Sequence, residues 1–156
     1  IEIEHKFLLK NEDWRNLATD KKLYQQAYIF THSGTTVRVR IVGSVAYLTL
    51  KGKVTGAKGL SRTEFEYEIP LEDAQVMIAE YADSPVVEKF RYHVPYAGKI
   101  WEVDDFIGDN KGLTVAEIEL TSEEEEFEIP SWIGDCVSIE DKYTNASLAR
   151  NPFKNW

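Results

Sequence analysis

Charged residues recur at every second position along much of this chain, and they are sorted by sign. Glu2, Glu4 and Lys6 open it, with Ile1, Ile3 and His5 at the alternate positions. Arg38 and Arg40 flank Val39, and Arg62, Glu64 and Glu66 share one parity. The same spacing holds for Lys89 and Arg91, Glu102 and Asp104, and Glu117 and Glu119. In an extended strand such residues lie on one face, roughly 7 Å apart. Two carboxylates so placed suit a hard divalent cation, Mg²⁺ or Mn²⁺, which takes oxygen ligands and commonly combines one or two carboxylates with waters and phosphate oxygens. Two Arg or Lys side chains so placed suit a polyphosphate, because guanidinium forks grip phosphate oxygens in pairs.

A plainer reading competes. Alternating patterns usually mean an antiparallel sheet with one wet face, and charged side chains ordinarily face solvent. A solvated face mixes its signs, however, because like neighbours are mildly unfavourable. Here acidic pairs and basic pairs stand apart. Were the sheet to close with its charged faces inward, both sets would line one cavity able to hold metal and phosphate together.

Strands must position these charges, and period-two segments dominate the chain. They run over residues 1–9, 36–42, 45–51, 61–69, 86–94, 99–107 and 114–120, with a further one over 25–31. All are rich in Val, Ile, Tyr, Phe and Thr and are separated by turn formers such as HSG at 32–34 and GDNKG at 108–112. Seven or eight strands with short connections predict an antiparallel sheet that closes or nearly closes into a barrel. Apolar residues at helical spacing predict helices over 12–20 and 71–82, the second preceded by Pro70, and a short one over 145–150. Residues 52–59, with three glycines and no periodicity, read as a mobile loop carrying Lys53 and Lys58. The acidic run from Glu123 to Glu126 reads as a solvated surface segment.

Composition narrows the partners. A chain of 156 residues, 43% hydrophobic, is long enough for one domain over residues 1–156 with a sizeable core. Eighteen basic against twenty-seven acidic residues leave a net charge of −9, which argues against a nucleic-acid backbone or an anionic membrane as partner. Cys136 is the only cysteine, so no intrachain disulfide and no Cys-x-x-Cys zinc pattern exists. No apolar run approaches the ~18 residues of a membrane span. The expected compartment is the reducing cytoplasm.

The order of these segments carries a resemblance. Glu2-Ile3-Glu4-His5-Lys6 has the form E-x-E-x-K, and VRVR, LTLKG, SRTEFEYEI, VEKFRY, WEVDDF, AEIEL and EDKYTNASLA follow it in order as far as Ala149. Together they resemble the CYTH family of triphosphate tunnel metalloenzymes. The resemblance implies a mainly β (α+β) fold: an eight-stranded antiparallel barrel forming a charged tunnel, with helices packed outside, that binds triphosphate compounds with Mg²⁺ or Mn²⁺. It implies Glu2, Glu4, Glu117 and Glu119 as metal ligands, and Lys6 as a substrate contact. Arg38, Arg40, Lys51, Arg62, Lys89 and Arg91 become the phosphate grip, with Lys142 standing where arginine is common. Lys6, Glu66 and Asp104 are the candidates for groups acting on the reacting phosphate and its water, and Glu64 and Glu102 are further tunnel acids. His5 has the parity of the outer face.

The activity so implied is metal-dependent hydrolysis of triphosphates, inorganic tripolyphosphate first and nucleoside triphosphates more slowly. Class IV adenylyl cyclases and thiamine triphosphatases share the family. A polyphosphate-binding module without catalysis is the remaining alternative, although a pure anion trap has no use for paired carboxylates. Oligomeric state stays open, a homodimer among the options. His32 and His93 lack ligand partners at metal spacing. Cys136 reads as a buried structural thiol, Trp14, Trp132 and Trp156 as packing aromatics, and Tyr28 as strand packing rather than tunnel wall.

Overall fold

The structure is a computed structural model describing residues 1–156. Ten strands form it: β1 (Glu2–Leu9), β2 (Asp20–His32), β3 (Thr35–Val42), β4 (Val45–Lys51), β5 (Ser61–Arg62), β6 (Glu64–Ile69), β7 (Val87–Tyr96), β8 (Lys99–Ile107), β9 (Thr114–Glu119) and β10 (Ile133–Cys136). Two α-helices, α1 (Leu71–Tyr81) and α2 (Asn145–Arg150), accompany them. Every strand pairing is antiparallel, in the order β10-β1-β9-β8-β7-β2-β3-β4-β6. Only Thr63 separates β5 from β6, so the two act as one kinked strand. That strand pairs with β4 along β6 and returns to β1 through β5, at Glu2↔Arg62 and Ile3↔Ser61. Eight strands therefore make a ring whose closure rests on two residue pairs. Beyond them β10 takes over the edge of β1, at Phe7↔Cys136 and Leu9↔Ile133.

Most predicted strands match within two residues. The largest extension is β2, expected over 25–31 and observed from Asp20. Its polar start, Asp20 to Gln26, carries no apolar alternation, yet β7 pairs with it residue by residue from Asp20↔His93 to Gln26↔Val87. The helix expected over 12–20 is one 3-10 turn, Asp13–Asn16. Only Trp14 of that turn is buried, and the Thr19 N–H bonds His93 O at 2.9 Å, which draws the chain into β2 before a second turn can form. β10 had no period-two signal.

The outward face of the ring carries two of three apolar clusters. Phe7, Trp101, Val103, Ala116 and Ile118 pack beneath Trp14, Trp132 and Ile133, and Val39 and Ala46 pack against Ala74 of α1. The third cluster is different. Leu8, Val87, Phe106 and Val115 have the inward parity of their strands, and they pack with Tyr28, Tyr143, Leu148 and Ala149. The expectation of helices outside the barrel thus holds for α1 but not for α2, which sits over inward residues. Full burial of one such side chain contributes about 1.5–3 kcal/mol, so one end of the ring is an apolar plug and the charged interior is a cup open at the other end. No helix is long and apolar enough to cross a membrane.

Candidate active site

Inward positions of the charged half of the ring line a cavity of about 700 Å³. β1 contributes Glu2, Glu4 and Lys6; β3 Arg38 and Arg40; β4 Thr49 and Lys51; β5 and β6 Arg62, Glu64 and Glu66. β7 supplies Arg91 and His93, β8 Glu102, and β9 Glu117 and Glu119. Of thirty lining residues only six are hydrophobic. The cavity suits a small, multiply charged solute better than a base or a ring.

Most cations of the wall are matched by carboxylates. Lys51 Nζ lies 2.7 Å from Glu2 and 3.4 Å from Glu64. Arg91 donates from Nε and Nη2 to Asp104 at 2.8 and 2.9 Å, and from Nη1 to Glu102 at 3.1 Å. Lys89, wholly buried, donates to Asp104 at 2.7 Å and to Asn145 Oδ1 at 3.1 Å. Burial, with Arg91 and Arg40 nearby, pushes its ammonium down to about 7 against the pull of Asp104. Lys6 reaches Glu117 at 3.6 Å and the Tyr143 carbonyl at 3.2 Å. Arg38 is 3.7 Å from Glu66 and donates to Thr49 at 3.3 Å.

Two cations are exceptions. Arg62 donates to the Gly52 and Gly34 carbonyls. Arg40 meets no carboxylate; its Nε donates to the neutral Gln26 Oε1 at 2.8 Å, and its guanidinium lies 4.9 Å from the Tyr24 ring centre. Burial, together with Arg38 and Arg91, pulls it down to about 9, still cationic at neutral pH. Two donors beside it, Arg38 Nε and Gln26 Nε2, are buried with no acceptor. Buried donors normally find partners, so this corner has the donors to receive an anion.

The carboxylates mirror this. Burial would raise Glu117, but Lys6, Arg91 and Lys89 hold it well below the usual range, and Lys51 similarly outweighs burial at Glu2. Glu4 and Glu119 stand opposite each other in register and form no ion pair. Burial and the charges of Glu117 and Glu2 push Glu4 well up, while burial with Glu102, Glu2 and Glu64 pushes Glu119 up. Two oxygen donors lacking a cation, a few ångströms apart across neighbouring strands, fit a hard divalent metal. No three acidic, His or Cys side chains converge to hold one alone. A hard divalent cation held there would take its remaining ligands from water and phosphate oxygens.

Eleven of the site residues expected from the sequence line the cavity: Glu2, Glu4, Lys6, Arg38, Arg40, Lys51, Arg62, Glu66, Arg91, Glu117 and Glu119. Three do not. Asp104, 1% exposed, lies under the wall clasping Lys89 and Arg91, so it is closed to a reacting water; Lys89 lies with it. Lys142 is exposed and stacks on Trp156, 4.6 Å from the ring centre, outside the cavity. Tyr24, Thr49 and His93 were missed as lining, and Tyr28 was assigned to packing. Simple parity finds them: Thr49 precedes Lys51 by two, and His93 follows Arg91 by two.

Other readings also shift. Cys136 is exposed, its Sγ 3.1 Å from Ser138 Oγ. His5 lies outside the cavity as expected, its Nδ1 3.0 Å from the same hydroxyl. The acidic run is not uniformly wet: Glu123 is buried, and Glu125 binds Lys99 and Thr121.

The CYTH domain family model matches residues 1–147. An inorganic triphosphatase of Acetivibrio thermocellus is 44% identical over 155 residues, covering 99% of this chain and 97% of that protein. An inorganic triphosphatase of Nitrosomonas europaea is 31% identical, with 95% and 96% covered. A crystal structure of an inorganic triphosphatase superposes with a TM-score of 0.65 at 28% identity, covering 96% of this chain and 94% of that one. The chain belongs to the CYTH domain family.

Proposed function

We propose that this protein hydrolyses triphosphate compounds, inorganic tripolyphosphate foremost and nucleoside triphosphates less efficiently, in a divalent-metal-dependent reaction. The observation that carries the reading is a complementary mismatch inside one cavity. Arg40 and its neighbouring donors lack an anion, and Glu4 and Glu119 lack a cation. A metal-bound triphosphate satisfies both at once. The two relatives named inorganic triphosphatases support the same reading.

In this reading Arg38, Arg40, Arg62 and Arg91 bind the phosphate oxygens, with Lys6 and Lys51 beside them. A tripolyphosphate tail carries roughly four to five negative charges, and phosphoryl transfer depends mainly on neutralising them and holding water in line. Glu4 and Glu119, flanked by Glu2 and Glu117, are the residues that would hold Mg²⁺ or Mn²⁺. When bound, the ion polarises phosphate oxygens and offsets charge on the leaving oxygen. Glu66 is the carboxylate placed to orient the water: it lines the cavity and is held by the Thr49 hydroxyl at 2.9 Å and by Arg38 at 3.7 Å. The water oxygen bonds to the terminal phosphorus, the bridging P–O bond breaks with its electron pair leaving on pyrophosphate, and the proton passes through Glu66 to solvent.

The test is orthophosphate release from tripolyphosphate, ATP and thiamine triphosphate with Mg²⁺, Mn²⁺ or chelator, with cyclic AMP measured in the ATP reaction. Metal-dependent release that is fastest from tripolyphosphate is expected. Cyclic AMP with pyrophosphate would make the site a cyclase, and binding without turnover of any substrate would make it a polyphosphate-binding module.

A further inference from the structure

We propose that Glu123, outside the cavity, is a positioning residue that latches the 55–61 loop and thereby holds the closing strand of the ring in place for substrate binding. Its carboxylate is the centre around which that loop folds. Oε1 accepts the Lys58 N–H at 3.1 Å; Oε2 accepts the Leu60 N–H at 2.9 Å and the Ser61 hydroxyl at 3.1 Å. The Lys58 ammonium donates to the Glu123 carbonyl at 3.1 Å, completing a two-way clasp. Convergent backbone N–H groups of this kind form an anion nest, here filled by the protein's own carboxylate.

Gly56 shows how closely the parts fit. It has φ +89°, and a Cβ there would stand 2.6 Å from the Glu123 carboxyl carbon. Both the backbone conformation and the space demand glycine. Thr55 and Ser61 then exchange two backbone hydrogen bonds, of 2.6 and 3.1 Å, that close the loop's neck.

The latch leads straight to the site. The Leu60 peptide links Glu123 to β1, its N–H bonded to Glu123 and its carbonyl accepting the Glu4 N–H at 3.4 Å. The next two residues, Ser61 and Arg62, are β5, which supplies the two residue pairs that close the ring. Arg62 is fixed further by donating to Gly52 O at 2.8 Å and Gly34 O at 3.1 Å. Releasing Glu123 loosens β5, and with it the backbone that carries Arg62 and the backbone contact at Glu4.

The kinetic part of the test rests on the triphosphatase reading; the structural part does not. Glu123→Ala, Glu123→Gln, Gly56→Ala and the double variant Glu123→Ala/Gly56→Ala are compared in the full chain by backbone amide exchange and by kcat and KM for tripolyphosphate. Glu123→Ala and Gly56→Ala are each expected to speed exchange at residues 58–61 and to raise KM about tenfold with kcat little changed, the signature of lost uniform binding. The double variant should be no worse than either single one, because both break the same latch. Glu123→Gln keeps one acceptor oxygen and should fall between. Wild-type exchange at residues 58–61 in Glu123→Ala, or a fall in kcat at unchanged KM, would overturn the proposal. Were the wild-type protein to release no phosphate, the hydrolase reading would fail, and the latch would be decided by exchange alone.

Discussion

Lys51 on β4 and Glu2 on β1 meet at 2.7 Å across the kinked strand that closes the ring, and Glu64 of that strand joins them at 3.4 Å. Burial works against the charge on Lys51, yet Glu2 and Glu4 hold its ammonium above the ordinary value. The ion pair thus reinforces, from the cavity side, the closure made by the Glu2↔Arg62 pairing. Lys51→Met is expected to raise the tripolyphosphate KM by roughly tenfold or more, since a charge-assisted contact to phosphate is worth about 1.5–3 kcal/mol. Steady-state kinetics checks this, and an unchanged KM would place Lys51 in a purely structural role.

Arg40 should trade stability against function. It is an unmatched cation among Arg38 and Arg91. Arg40→Met is expected to stabilise the unliganded protein by about 1 kcal/mol while weakening triphosphate binding by roughly 10- to 100-fold. Thermal denaturation and titration calorimetry read the two effects separately. A lower melting temperature would show that Arg40 is compensated without ligand.

Asp104 and Glu66 should part company. Asp104 clasps Lys89 and Arg91 while 1% exposed, so Asp104→Asn leaves two buried cations short of a partner and should cost about 3–5 kcal/mol. Glu66→Gln, on the cavity wall, should leave the melting temperature nearly unchanged and lower kcat. Paired measurements of melting temperature and kcat on both variants check the assignment.

Glu4→Gln removes a carboxyl that forms no ion pair, so folding should be little changed. Turnover should fall most at limiting Mg²⁺ and recover partly as Mg²⁺ is raised. Wild-type rates at limiting Mg²⁺ would sink the metal assignment.

Glu123 should contribute to the acid dependence of stability. The Lys58 and Leu60 N–H groups hold its carboxylate below the usual range. The folded protein therefore binds this proton less readily than the unfolded chain, whose Glu titrates near pH ~4.3. The stabilisation is fully present above that value and is lost as pH falls through the lower folded pKa. The gap in melting temperature between the wild type and Glu123→Gln should be widest at neutral pH and narrow below pH ~4.

Much of the site was legible because a strand transmits it directly. Side chains two apart must share a face, so Glu2 with Glu4, Arg38 with Arg40 and Glu117 with Glu119 declared themselves without any knowledge of the fold. Parity also put His5 outside. It was applied unevenly: Thr49 and Tyr24 obey the same rule but are uncharged, and His93 was weighed only as a metal ligand although it follows Arg91 by two.

What parity could not supply was depth and partnership. Lys89 and Arg91 are equivalent in sequence, yet the apolar plug beneath α2 buries Lys89 with Asp104 and leaves Arg91 on the wall. Lys142 stands where a phosphate contact was expected, but Trp156 takes its ammonium outside. Glu123 looked like one of four wet glutamates, because nothing local records that a loop sixty residues earlier in the chain folds its N–H groups around it. The sequence alone determined most of the strands, which charges share a face and the chemistry those charges suit, since these depend on neighbours two residues apart. Only the tertiary structure decided which charges are matched, which are left waiting for a ligand, and how the ring is held shut, because those depend on contacts between residues far apart along the chain.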